Sequence, residues 1–168
     1  MLILTPHISD LLDLRELSIA SFVHAYGQFN TAEDMENYLS TNFTEENLRK
    51  EISDPELHFL LAFEKGELVG YVKLNLQSKP KGDAIRPLEI LRLYTKPNLI
   101  GGGIGKEILQ AVGKFAKARD YDSVRLDVWQ KNFRAVNFYQ REGFKICGTT
   151  QFLLGKDVQD DFVMIKKM

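Results

Sequence analysis

The chain has 168 residues, of which 44% are hydrophobic and 27% are charged, and its net charge is -1. This length predicts one globular domain over residues 1–168 with a substantial core. The near-zero charge argues against partners such as nucleic acid or a membrane surface, and no apolar run approaches the roughly 18 residues that a spanning helix needs. We therefore expect a cytoplasmic protein, and the sequence leaves a homodimer open.

The first half of the chain predicts a strand, three helices and a hairpin. Apolar residues recur at helical spacing behind Ser9, after a short β-rich start. Thr31 and Thr44 are each followed by polar residues that typify a helix N-terminus, which predicts two short amphipathic helices. Two apolar runs around Lys65 and Gly66 predict a hairpin, and the Gly, Pro and Lys content of residues 78–87 predicts a loop.

The second half predicts a strand, a glycine-rich turn and a helix, then a strand, a short helix and a closing pair of strands. These elements occupy residues 88–97, 101–105, 105–120, 122–130, 132–143 and 144–168, with the last turn at residues 155–157. The whole order predicts a mixed α/β (α+β) fold with a largely antiparallel sheet.

Charge is unevenly distributed along the chain. Residues 31–56 contain eight acidic and two basic side chains, whereas residues 86–145 contain twelve basic and six acidic ones. If the two stretches line different walls of one site, the first suits a cationic ligand and the second an anionic one. Solvated helix faces explain the same pattern equally well.

Three further side chains are expected in the core. The single cysteine, Cys147, has no nearby His or second Cys, so we expect a buried small apolar residue and no metal site. Trp129 and Phe133 are also expected to be buried, because large aromatic side chains usually are.

Five of the twelve glycines fall between Gly101 and Gly113, where a strand runs into a helix. Such a turn exposes backbone amides at the positive end of a helix dipole, which suits a phosphate or pyrophosphate. A nucleotide P-loop is not formed, because Ile100 replaces its first glycine and Glu107 replaces its Ser or Thr. The dinucleotide fingerprint fails as well, because the spacing is G-x-G-x-G and lies late in the chain.

The glycine turn resembles the acyl-CoA loop of the GNAT N-acetyltransferase superfamily, Arg/Gln-x-x-Gly-x-Gly/Ala. Gly103 and Gly105 match that pattern, and Ile100 departs from its Arg or Gln. Residues 132–144 match the second family signature, Asn-x-x-Ala-x-x-Phe-Tyr-x-x-x-Gly-Phe, at every defined position. Segments across nearly the whole chain resemble the PaiA-type polyamine acetyltransferases within this superfamily. The resemblance implies a GNAT fold with about seven strands and about four to five helices.

The resemblance also implies acetyl-CoA as cosubstrate, with direct transfer of acetyl to a small-molecule amine, most simply spermidine or spermine. By the same resemblance, one set of residues binds the cofactor through the strand, the glycine loop and the second signature. They are Leu93, Tyr94, Thr95, Gly101, Gly102, Gly103, Ile104, Gly105, Lys106, Asn132, Ala135 and Tyr139.

Two residues carry the predicted chemistry. Glu89 lies 14 residues before Gly103, where many members of the family have a general base. The alternatives for Glu89 are an ordinary strand-edge carboxylate and a carboxylate that only attracts the cationic substrate. Tyr139 corresponds to the general acid that faces the leaving sulfur; because a tyrosine is a weaker acid than a thiol, a donated hydrogen bond is the safer description of its role.

The acidic stretch is the expected wall for the amine, with Glu33, Glu36, Tyr38 and Asp54 as candidate acceptor-binding residues. Three other functions remain open. The acceptor could be a protein amine or an amino-sugar, the chain could bind CoA without catalysis, and, least favoured, the glycine loop could serve a nucleotide phosphotransferase.

Overall fold

The computed structural model describes residues 1–77, 87–154 and 157–168. It contains seven strands: β1 (Leu2–Leu4), β2 (Leu57–Glu64), β3 (Glu67–Asn75), β4 (Pro87–Thr95), β5 (Ser123–Trp129), β6 (Lys145–Leu154) and β7 (Asp157–Lys167). The five α-helices are α1 (Leu11–Tyr26), α2 (Ala32–Asn42), α3 (Glu45–Ser53), α4 (Ile104–Ala118) and α5 (Phe133–Arg141). The predicted fold class is confirmed. The loop predicted at residues 78–87 lies outside the described residues except for Pro87, as do Gly155 and Lys156 of the last turn.

The strands form one sheet in the order β1-β2-β3-β4-β5-β7-β6. Every neighbouring pair is antiparallel except β4 and β5, which are parallel and are connected through α4. The β4–β5 ladder ends at the pair Ile90 and Leu126, so β4 continues from Leu91 to Thr95 without β5 as its neighbour. The fold therefore opens a gap between two central strands.

A β-bulge marks the start of this gap. On β4, Arg92 pairs with Lys73 and Ile90 pairs with Leu74, which leaves Leu91 as the extra residue. A bulge bends its strand and redirects the following side chains, and it is common beside active sites.

The helix starts follow from local capping. The hydroxyl of Thr31 accepts a hydrogen bond from the amide of Asp34, and the hydroxyl of Thr44 accepts one from the amide of Asn47, both at 3.1 Å. The Asn132 side chain caps α5 by accepting from the amide of Ala135 at 3.2 Å. These bonds satisfy amides that have no partner inside the helix.

Two layers of helices cover the sheet. Helices α4 and α5 pack on one face through Ile108, Val112, Val136 and Tyr139. Helix α1 packs on the other face against β2 and β3, and α2 and α3 extend this second layer. Within the described residues, no helix is long and apolar enough to cross a membrane.

Two burial predictions are wrong. Cys147 is exposed, because it lies on β6 at the edge of the sheet, beside a register shift between Ile146 and Gly148. Phe133 is 70% exposed, because it is the first residue of α5 and lies at the surface end of that helix. Trp129 is buried as expected.

Candidate functional site

A cavity of about 430 Å³ lies where β4 and β5 separate. Its walls are the end of α1, the second half of β4, the glycine loop with the start of α4, the end of β5, and α5. Eleven of the twelve predicted cofactor residues lie around it, and Gly102 is the exception. These eleven are Leu93, Tyr94, Thr95, Gly101, Gly103, Ile104, Gly105, Lys106, Asn132, Ala135 and Tyr139.

The glycine loop has a backbone that only glycine adopts readily. Gly101 and Gly103 have φ values of +92° and +90°, and a Cβ built on either would meet nothing within 4 Å. The space above the loop is therefore open to a ligand. Because α4 begins at Ile104, its first amides have no carbonyl partner within the helix and can donate to an anion.

Gly105 joins the two halves of the site. A Cβ on Gly105 would lie 3.1 Å from Cζ of Phe138, so the first turn of α4 packs directly against α5. This contact brings the glycine loop and the second signature to the same cavity.

Three cationic side chains line the same cavity as the glycine loop. Lys106, Arg134 and Arg141 all line the cavity and are exposed. Ile100 also lines it, at the position where the family pattern has Arg or Gln. Amides at a helix start together with three cations fit the phosphates of a coenzyme A molecule.

Tyr139 places a buried hydroxyl in the cavity wall. Its ring is 8% exposed and packs against Phe138 and Phe144, with ring centroids 5.1 and 5.6 Å away. Burial raises the pKa of Tyr139 well above its usual value. The hydroxyl is therefore a hydrogen-bond donor throughout the physiological pH range.

Glu89 lies outside the cavity, before the point where the strands separate. Its Oε2 accepts a hydrogen bond from Nδ2 of Asn75 at 3.0 Å, and its register neighbour on β5 is Arg125. Glu89 is half-buried two residues before the bulged Leu91, so any role in proton transfer requires an intervening water.

The four predicted acceptor residues are not among those that line the cavity. Glu33 and Glu36 are exposed on α2, and the ring of Tyr38 stacks on Phe22 with a centroid distance of 4.3 Å. Asp54 follows α3, where its Oδ1 accepts from the amide of Glu56.

Sequence reasoning missed several residues that the fold brings to the cavity. Arg134 and Arg141 could have been found from helical spacing, because they share one face of α5 with Phe138. No local sequence pattern identifies Asp127 or Tyr26 as cavity residues. Their positions in the cavity depend on where β5 separates from β4 and on how α1 crosses the sheet.

Comparison with known proteins identifies the family. A family model described as "Acetyltransferase (GNAT) family" matches residues 13–144. The chain belongs to the GNAT family. It is 30% identical over 161 residues to an uncharacterized N-acetyltransferase from Lactobacillus delbrueckii subsp. lactis, covering 95% of this chain and 92% of that protein.

Two further matches involve Thermoplasma acidophilum. This GNAT protein is 30% identical over 164 residues to a spermidine N(1)-acetyltransferase, covering 95% of this chain and 92% of the relative. The crystal structure of a PaiA N-acetyltransferase in complex with coenzyme A superposes with a TM-score of 0.82 at 30% identity, covering 100% of both chains. The chain is thus an acetyl-CoA-dependent N-acetyltransferase of this family.

Proposed function

We propose that the protein transfers acetyl from acetyl-CoA directly to a primary amine of a small polycation such as spermidine. The observation that carries this proposal is the cavity at the β4–β5 gap, which joins the glycine loop, the free end of β4 and the buried hydroxyl of Tyr139. When bound, acetyl-CoA supplies the acetyl thioester.

The chain's own residues divide into a phosphate-binding end and a reacting end. Amides of Gly101 and of Gly103 to Lys106 bind the pyrophosphate, and Lys106 adds a positive charge. The Gly102 amide donates to the Leu99 carbonyl at 3.1 Å, so Gly102 shapes the loop instead. The main chain of Leu93, Tyr94 and Thr95 orients the acyl end, and Asn132 and Ala135 border the arm between the two ends.

Tyr139 stabilises the departing sulfur by donating a hydrogen bond. Charge develops on the sulfur as its bond to the acetyl carbon breaks, and a fixed donor in a buried site stabilises that charge most effectively. The raised pKa of Tyr139 keeps the donor protonated.

Glu89 accepts the proton of the attacking amine through a water. At pH 7 an alkylammonium costs roughly 4.6 kcal/mol to deprotonate, so a base near the acceptor is needed. Glu89 faces the α1 side of β4, because Leu88 and Ile90 face the core beneath α4. We expect Glu89→Gln to lower kcat about 100-fold, with Glu64→Gln, an exposed control on β2, unchanged.

A polycationic acceptor is supported by one relative and by a carboxylate in the cavity wall. Asp127 gives the cavity a carboxylate on the β5 side, and the Thermoplasma relative carries the name of a spermidine acetyltransferase. Glu33, Glu36, Tyr38 and Asp54 remain proposed as residues that attract the acceptor from outside the cavity.

The experiment is an acceptor panel of spermidine, spermine, glucosamine and a lysine peptide, with products identified by mass spectrometry. Acetylated polyamine as the main product supports the proposal. Acetylated peptide or glucosamine as the main product identifies the alternative acceptor, and CoA binding without any acetylated product identifies a non-catalytic module.

A further inference from the structure

A pair of carboxylates lies on the α1 side of the sheet, next to the cavity. On the paired strands β5 and β7, Trp129 is opposite Asp161 and Asp127 is opposite Val163. Because side chains alternate along a strand, Asp127, Trp129 and Asp161 point to the same face. Val128 points to the opposite face and packs in the core beneath α4 and α5.

Asp161 is a largely buried carboxylate, one oxygen of which has no hydrogen-bond partner in the described part of the chain. The residue is 9% exposed, and among the described residues no hydrogen-bond donor reaches its Oδ1. Burial, followed by the charges of Asp127 and Asp160, raises its pKa to about 6. The carboxyl is therefore mostly ionised at neutral pH, and an ionised buried group without a partner is unfavourable.

Aromatic rings border this carboxylate. Trp129 lies 5.8 Å from Tyr26 and 4.9 Å from Phe29, measured between ring centroids. The charge of Asp161 contributes, after burial, to the raised pKa of Tyr26. Tyr26 and Asp127 both line the cavity. Carboxylates beside aromatic faces are the groups that bind an organic ammonium.

Asp127, the first of the two carboxylates, lies where the central strands β4 and β5 separate. Asp127 directly follows Leu126, the last residue of β5 that pairs with β4. Asp127 lines the cavity and Asp161 does not, so a ligand held by both carboxylates lies at the β5 edge of the cavity, on the face that carries α1.

We propose that Asp161, with Asp127, binds a protonated amino group of the acceptor against Tyr26 and Trp129. This inference rests on the proposed function and specifies a cationic acceptor at that site. Arg125 already holds Asp127, with its Nη2 3.2 and 3.4 Å from the two carboxylate oxygens. Asp161 is consequently the carboxylate that the ammonium group neutralises.

The test uses the single tryptophan of the chain, Trp129, as a fluorescent probe. Spermidine is titrated into protein saturated with CoA, which binds but cannot donate acetyl. The parent is compared with Asp161→Asn and with Asp160→Asn. Asp160 is an exposed neighbour on the same strand whose Oδ1 accepts from Gln151, so it provides the same charge change on the opposite face of the sheet.

We expect saturable binding by the parent, at least fivefold weaker spermidine binding by Asp161→Asn, and an unchanged affinity in Asp160→Asn. The CoA affinity of both variants should equal that of the parent, which shows that they are folded. Three results overturn the inference. They are a loss of spermidine affinity below fivefold in Asp161→Asn, an equal loss in both variants, and no spermidine binding by the parent. A parent that binds spermidine but releases no CoA from acetyl-CoA retains this site and overturns the proposed function instead.

Discussion

Arg92 on β4 donates two hydrogen bonds to Glu51 on α3, at 2.8 Å from Nη1 to Oε2 and at 3.2 Å from Nη2 to Oε1. Lys73 on β3 donates a third, at 2.6 Å to Oε1. Glu51 thus pairs with two cations that are largely buried, with side chains 12% and 8% exposed. Because Arg92 also lines the cavity, this network connects the acidic helices to the site.

Glu51→Gln should destabilise the fold by about 3 kcal/mol, because it leaves two buried cations without an anion. Urea denaturation measures this change. The control is Glu46→Gln, which removes the exposed Lys50 pair on the same helix and should leave stability nearly unchanged. Equal effects of the two substitutions would contradict the importance of the buried network.

Tyr139→Phe should lower kcat about 10- to 100-fold and leave CoA affinity unchanged, because it removes one donated hydrogen bond and keeps the ring. The control is Tyr121→Phe, which removes a buried hydroxyl that donates to the Leu76 carbonyl. Steady-state rates of CoA release give the kcat of both variants. A kcat within twofold of the parent would exclude the role proposed for the hydroxyl.

Ile100→Arg should tighten CoA binding about tenfold by adding a charged donor beside the glycine loop. Asn98→Arg provides the matched control, because Asn98 is exposed and does not line the cavity. Isothermal titration calorimetry with CoA distinguishes the two variants. If Ile100→Arg binds CoA no more tightly than the parent, the basic residues and loop amides already satisfy the phosphates.

Asp161→Asn should change stability in a pH-dependent way. The folded pKa of Asp161, about 6, is above its ordinary 3.8, so the parent loses stability as pH rises between these values. The charged or titratable groups near Asp161 are Asp127 and Arg125 on β5, Asp160 on β7 and Tyr26 on α1.

Above pH 6 the variant should be more stable than the parent, by at most about 3 kcal/mol, and below about pH 4 the two should be equal. Thermal or urea unfolding at the two pH values measures the difference. A variant that is less stable at both would show that the Asp161 carboxylate has a partner in the folded protein.

Much of the fold was predictable because its signals are local. Helices are capped through bonds that span three residues by Thr31, Thr44 and Asn132. Gly103 adopts a positive φ that favours glycine, and the neighbouring glycines in the sequence indicate such a turn. The glycine loop could be predicted for the same reason.

The carboxylates proposed to bind the acceptor could not be predicted in this way, because their surroundings depend on contacts between residues distant in sequence. Trp129 meets Asp161 through the β5–β7 register, and Tyr26 joins them from α1. The exposure of Cys147 likewise depends on β6 being the last strand of the sheet. The pairing of Glu51 with Arg92 and Lys73 is likewise set by contacts between α3 and the sheet, so the acidic count of residues 31–56 does not reveal it.

The rate of CoA release from acetyl-CoA by the parent protein with spermidine, measured from about pH 7 to 9.5, tests the central claim most directly. We predict saturable turnover that rises with pH, because a larger fraction of the amine is then unprotonated, and that weakens at high salt, because the acceptor is held by charge. Absence of spermidine-dependent CoA release across this range would contradict the account.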